Sequence, residues 1–561
     1  MTSPSNDLEP LGAEFWEWRD ATSFRTADDI PRVERPEGWL PRFDRAAADE
    51  FRLALRGFAE RWRAVGDEPG FAALPVDAQV DHRLLGAAMA RVHWELDVLR
   101  NHERDAVFLT SQVIGPWFDL LLPPPPFDER RRADLVRVLE AVPAAVDQAV
   151  ANLEHAGVAT LARVAAVDLV DISTRLARSV AEVSRFTDAA TAAALAAAQP
   201  AASDALERFR VWLAASADDL GPDVVVGRDA FVWYLRHVAL VTAEPEELVR
   251  AALQDHHRAV VGEAVTRASA AAHGRPEMPI AVDAVEQVGV QFVREAELRA
   301  FFEASDLLSQ PESLRHYRFA PTPAYLEPLA FLGVNDDLTS IRRRDEDSTH
   351  YVPVPGPDLQ YFDAANARDP RLGIIHEGAH SQQLALSWAH PNTMRRHFID
   401  SIANEGIAHY NEELALTAGL FADAPHSRAI VYNFMRLRAL RVIVDVNLAT
   451  GVFSRSEAVD FFVGSVPMDA ETASEETSYY VATPGLAMSY HVGKQEVQRL
   501  LADAATAAAA SGAPFSVRDV HDHVWRNGNV PMSLQRWELL GDRGDVDALD
   551  AAGPWWEDVL A

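Results

Sequence analysis

Leucine, valine and alanine recur at three- and four-residue spacing along most of this chain, the period of helices that bury one face. The segment Arg130 to Gly157, RRRADLVRVLEAVPAAVDQAVANLEHAG, shows it well, with Gly157 as a stop. Thr160 to Ala198, Ala201 to Ser216, Asp229 to Leu240 and Pro245 to Ala272 continue the pattern, with a loop expected over Asp218 to Gly227. The run Leu122-Pro123-Pro124-Pro125-Pro126 cannot be helix interior and reads as a rigid connector. His350 to Asp363, HYVPVPGPDLQYFD, breaks the rhythm with aromatic and β-branched residues cut by prolines. It predicts one or two short strands, an edge with a turn at Gly356. The expected fold is mainly α: a helical lobe over residues 1–310 and a lobe carrying chemistry over 311–561, joined as one continuous unit. No fixed-period repeat and no linker divides the chain.

Chemistry concentrates just after that β segment. Arg371 to Trp388, RLGIIHEGAHSQQLALSW, reads as a helix and contains His376-Glu377-Gly378-Ala379-His380. Residues four apart share a helical face, so His376 and His380 can grip one metal ion while Glu377 stands where a general base would. Catalytic zinc takes three protein ligands and keeps a fourth position open. Downstream, Glu405, His409 and Glu412 lie at i, i+4 and i+7 of a second helix, which is expected to pack antiparallel to the first after a break at Pro391-Asn392. Glu405 is the expected third ligand and His409 its competitor. Glu412 is expected to orient a ligand histidine. An upstream edge strand would let an extended peptide pair through its backbone. The segment Ser478 to His491 supplies candidate oxyanion donors in Tyr480 and Tyr490, because a tyrosine hydroxyl donates while neutral.

Composition narrows the setting. The 561 residues contain no cysteine, which excludes disulfides and thiolate metal sites and leaves zinc to His, Asp and Glu. A net charge of −32 would repel a phosphate backbone, so no nucleic acid is expected as partner. No apolar run approaches the roughly 20 residues that span a bilayer, and the N-terminus lacks the pattern of a secretory signal. A cytoplasmic location with no membrane partner is expected. Lys494 is the sole lysine and is expected on a solvated helix face.

At these residues the chain resembles a bacterial family named domain of unknown function 885, related to helical gluzincin metallopeptidases. Val142-Pro143 to Asn152-Leu153 and Ala243 to Leu248 resemble two of its N-terminal patterns. Glu405-Gly406 with Ala408, Tyr410 and Glu412 resembles its E-G-x-A-x-Y-x-E helix. Tyr480 to Tyr490 with Gly493 resembles its Y-x-x-x-P-G-x-A-x-x-Y-x-x-G segment, and Arg526 to Pro531 its closing N-G-x-x-P turn. The resemblance runs from about residue 130 to the C-terminus. It implies a helical zinc-peptidase-like body with a central cleft, with His376, His380 and Glu405 as ligands of one Zn²⁺ and Glu377 as base. The chain departs from the family in the compact H-E-G-A-H, where the family has H-E-A-x-P-G-H-H. Tyr479 stands where Arg is common, and His491, expected near the ligands, where Lys is common.

The expected activity is hydrolysis of a peptide or amide bond by metal-activated water. The alternatives are hydrolysis of a specialised small-molecule amide or ester, and a non-catalytic protein stabilised by zinc.

Overall fold

The computed structural model describes residues 4–25, 33–222, 225–356, 359–466 and 470–561. The fold is mainly α, with one small sheet. Local sequence sets many helix starts. The side chains of Asp44, Asp128, Asp188, Asp283 and Ser516 each accept a backbone N–H of the first turn. Glu247 reaches back to the amide of Glu244 at the head of helix Pro245–Ala272. The expected helix over 130–157 is Glu129–Ala156, capped by Gly157.

Two expectations need correction here. The alanine-rich stretches either side of Pro200 form one helix, Ala189–Ser216, with the proline inside it. The segment 160–198 is not continuous either. It breaks into Ala159–Asp168, Ile172–Val183 and the start of the next helix, because Asp171 takes a left-handed conformation.

The sheet has the order β1 (Tyr317–Pro321), β3 (Ser348–Val352), β2 (Asp336–Asp337). β1 runs parallel to β3, pairing Phe319 with His350, and β2 runs antiparallel, pairing Asp336 with His350. The strand predicted as an edge is therefore the central one. Helix begins again at Tyr361, and the expected turn at Gly356 is a bend bordering 357–358, which lie outside the described residues.

Among the described residues, two large apolar cores hold the fold together. One gathers Phe15, Trp117, Phe118 and Phe209 with Val442, Val492 and Leu549. The other gathers Phe302, Trp388, Phe421 and Trp525. Both draw on residues from either side of position 310. Several helices cross the seam between them, three of them around the site described below. Ser401–Thr417 places Ile402 in the first core and Ile407 in the second. Pro425–Ala449 places Leu440 in the first and Met435 in the second. Ser489–Ser511 places Val492 in the first and Val497 in the second. No described helix is long and apolar enough to cross a membrane.

Candidate metal centre

The helix expected over 371–388 is in two pieces. Arg371–Ile374 forms one turn, the chain tightens at Ile375 and His376, and Glu377–Ser387 follows. His376 thus stands at the head of the second piece, and His380 sits one turn along it. Asn411 Nδ2 donates to the freed carbonyl of Ile375 at 2.7 Å, tying this turn to helix Ser401–Thr417. Glu405 of that helix reaches His380 while Asn411, further along, reaches Ile375, so the two helices run antiparallel.

Glu405 Oε2 lies 3.3 Å from His376 Nε2 and 3.5 Å from His380 Nε2. It is buried and makes no hydrogen bond there. His376, Glu377 and His380 offer donor atoms within 4.8 Å of one another. Ligands about 2.0–2.1 Å from a tetrahedral zinc ion stand roughly 3.3–3.5 Å apart. The Glu405 distances match that spacing, and the donors are the nitrogen and oxygen types that zinc accepts. The site fits a divalent ion.

Behind the histidines stands a buried carboxylate, Glu412. Its Oε1 is 2.7 Å from His376 Nδ1 and 2.9 Å from Arg438, and its Oε2 is 3.3 Å from His409 Nδ1. With an ion bound, a proton on His376 Nδ1, assigned from this network, would leave the Nε2 lone pair for that ion. Burial would push the Glu412 carboxyl up, but Arg438 and the imidazoles hold it well below the usual carboxylate range. Burial likewise opposes charge on His376, yet Glu405 and Glu412 outweigh it and raise its pKa to about 9. His409 is held at about 3, chiefly by burial, and meets Glu412. The structure brings Glu405, not His409, to the two imidazoles.

Glu377 is half-buried, and burial raises its carboxyl against the pull of the His376 and His380 imidazoles, with the charges of Asp336 and Glu405 adding to the rise. Asp336 arrives on β2, where it accepts from Tyr317 Oη at 2.9 Å and lies 3.0 Å from His350 Nδ1. Tyr317 also packs under Gly378, next in chain to Glu377. Sequence reasoning missed Arg438, Asp336, His350 and Tyr317. The signal for the last three was the paired polar register of a sheet that no local pattern defines.

The tyrosines divide. The Tyr490 ring stacks on His376 at 6.0 Å, and the guanidiniums of Arg438 and Arg441 lie 5.3 Å and 5.6 Å from its centroid. Tyr480 is buried, and its hydroxyl is committed to Glu476, which also pairs with Arg441 at 3.0 Å. His491 turns toward Asp255, 3.3 Å away. Lys494, expected in solvent, is buried. It pairs with Asp255 at 2.6 Å and Glu413 at 3.0 Å, and the two carboxylates explain how a lone ammonium can be enclosed.

The family described as "Bacterial protein of unknown function (DUF885)" matches residues 21–314 and 344–539. The chain belongs to this family. The unmatched stretch between the two segments carries β1 and β2, hence Tyr317 and Asp336. No curated protein matches the chain. Solved structures share the fold of this DUF885 member, two of them as follows. One is a "putative lipoprotein of unknown function" from Shewanella oneidensis, with TM-score 0.67 and 15% identity, covering 96% of this chain and all of that one. The other is a "putative lipoprotein" from Colwellia psychrerythraea, with TM-score 0.72 and 14% identity, covering 98% and 100%.

Proposed function

We propose that this protein is a metal-dependent hydrolase acting on a carbonyl of the amide class, with one Zn²⁺ held by His376, His380 and Glu405. The observation that carries the reading is the convergence of Glu405 Oε2 on both Nε2 atoms at ion-sharing distance. When bound, Zn²⁺ supplies Lewis acidity and a water of lowered pKa. Glu377 takes the proton of the attacking water and carries it to the leaving amine. Its raised pKa suits both acts. Tyr490, whose ring stacks on His376, is the candidate to steady the developing oxyanion. Glu412 and Arg438 hold the His376 ring in its tautomer.

A peptide docked as a further strand on β1 is disfavoured by one specific observation, which leaves β2 as the other edge of the sheet. The outer edge of β1 is closed, because Gln291 donates to Tyr317 O at 2.8 Å and accepts from Phe319 N at 2.9 Å. A peptide strand cannot add there.

Elemental analysis and a library of amides test the reading together. Wild type should carry about one zinc per chain and Glu405→Ala far less. Glu377→Gln should keep the metal and lose at least about 100-fold in kcat/KM. Full metal in Glu405→Ala, or undiminished turnover in Glu377→Gln, would sink the mechanism.

A further inference from the structure

The small sheet lies against the head of helix Glu377–Ser387, and the contact places a charged pair beside Glu377. Ser348 on β3 meets Ser381 of the helix, Oγ to Oγ at 2.7 Å. Alternate residues of a strand share a face, so His350 lies on the face of Ser348, about 7 Å further along. Glu377 lies about 6 Å before Ser381 on the helix. Tyr317, level with Ser348 on β1, packs under Gly378 and donates to Asp336 at 2.9 Å. Asp336 is in turn level with His350. β3 therefore runs toward the Glu377 end of the helix, and His350 stands on the wall beside that carboxylate.

The pair is His350 and Asp336. Nδ1 of His350 is 3.0 Å from both carboxylate oxygens of Asp336, and the ring packs on Phe319 at 4.9 Å. These contacts fix its orientation. Asp336 is buried and already takes Tyr317 and His350, so its charge is spent on holding them. Nε2 of His350 has no hydrogen-bond partner among the described residues, and 13% of the side chain stays open. Burial opposes a charge on this ring, but Asp336 above all, with Glu377 and Asp363, outweighs it and raises the pKa. Held so, the imidazole favours its protonated form, and Nε2–H is the one donor left open.

We propose that His350 is a catalytic residue of the hydrolysis, donating from Nε2–H to the substrate oxygen that becomes negative, with Asp336 as its positioning residue. The inference deepens the hydrolytic reading and rests on it. As the water oxygen bonds to the carbonyl carbon, the C=O π pair moves onto the oxygen and the water proton passes to Glu377. His350 hydrogen-bonds that oxygen and keeps its own proton. When the C–N bond breaks, the pair returns to the carbonyl and the nitrogen leaves with the proton from Glu377.

Benzylphosphonate and phenylmethanethiol are the probes, titrated calorimetrically into the zinc-loaded full chain. The first carries a tetrahedral oxyanion like that of the addition step. The second is also an anion when bound but meets a metal through sulfur alone. Both should bind wild type. His350→Gln should weaken the phosphonate about 10- to 100-fold, the worth of a charged hydrogen bond, and leave the thiol within about threefold. Asp336→Asn should act in the same direction, and is read by the same criteria if His350→Gln does not fold. For any amide that wild type cleaves, kcat should fall about as far while KM and zinc content hold. The role of His350 is overturned, with the metal centre left standing, if the thiol binds wild type and the phosphonate does not, or if the phosphonate binds the variants as well as wild type. Equal weakening of both probes also overturns it, since that is a structural effect. A wild type that takes up no zinc and binds neither probe removes the hydrolytic reading, and this inference with it.

Discussion

At the scale of single residues, Glu412 stands where His376, His409 and Arg438 meet in one enclosed space. Removing its charge leaves Arg438 buried beside an imidazole that has lost its acceptor. Glu412→Gln should therefore weaken zinc binding by about 10- to 100-fold, the usual effect of losing a carboxylate that orients a ligand histidine. Competition with a chromogenic chelator measures this, and an unchanged affinity would deny Glu412 its orienting part. A second residue-scale effect concerns acid. His82 is buried against Trp62, with its Nε2 2.9 Å from the Trp62 carbonyl, and burial lowers its pKa to about 4. The unfolded chain takes up this proton near pH 6.5 and the folded one near pH 4, so the unfolded state binds more protons between those values. The contribution of His82 is complete above pH 6.5 and is lost as pH falls toward 4. It amounts to about 3 kcal/mol at most. The apparent melting temperature should drop over that window, and drop less in His82→Gln. Equal slopes for the two proteins would count against this account.

Helices bring a different constraint. Ser401–Thr417 and Ser489–Ser511 cross at Gly406 and Gly493, where the backbones touch. A Cβ on Gly493 would lie 1.8 Å from Ile402 O, and one on Gly406 would lie 2.4 Å from Gly493 Cα. This contact sets how near Tyr490 comes to His376. Gly493→Ala should cost about 3 kcal/mol or more, at or beyond the upper end of overpacking effects, and should reduce metal affinity too. Thermal melts with zinc titration decide it; a native melt with full affinity would show the crossing to be slack. The loop before Tyr490 is fixed as firmly, since the Asp445 carboxylate accepts from Gly485 N at 3.0 Å and Met488 N at 2.9 Å. At the start of the Glu405 helix, Asp400 accepts from Ile402 and Ala403 and pairs with Arg91. Most helix limits could be read from caps and periodicity alone. Pro245–Ala272 has its predicted ends, because Pro245 at the first position and the Glu244–Glu247 cap act locally. The sheet could not be read so. β3 is central only because Tyr317–Pro321 and Asp336–Asp337, distant in sequence, pair on either side of it.

For the whole molecule, the sole lysine shows how global packing overrides local reading. Lys494 joins helices Pro245–Ala272, Ser401–Thr417 and Ser489–Ser511 through Asp255 and Glu413. Lys494→Met would leave two buried carboxylates facing each other, with Arg258 as a nearby cation at 2.6 Å from each. We expect a loss of about 3–5 kcal/mol, as for other broken buried pairs, read as an earlier denaturant midpoint. A midpoint within error of wild type would place the ammonium among dispensable groups. What the sequence determined by itself is what short-range physics enforces. Helical period and caps gave a mainly α fold, and the i, i+4 spacing of His376 and His380 put two imidazoles on one face. The i, i+7 spacing of Glu405 and Glu412 likewise put two carboxylates on one face of a second helix. What only the tertiary structure decided depends on which surfaces meet. It selected Glu405 rather than His409 to face the histidines, brought Arg438, Asp336 and Tyr490 around them, and buried Lys494. Those outcomes follow from helix crossings and strand pairing between distant segments, and spacing along the chain does not encode them.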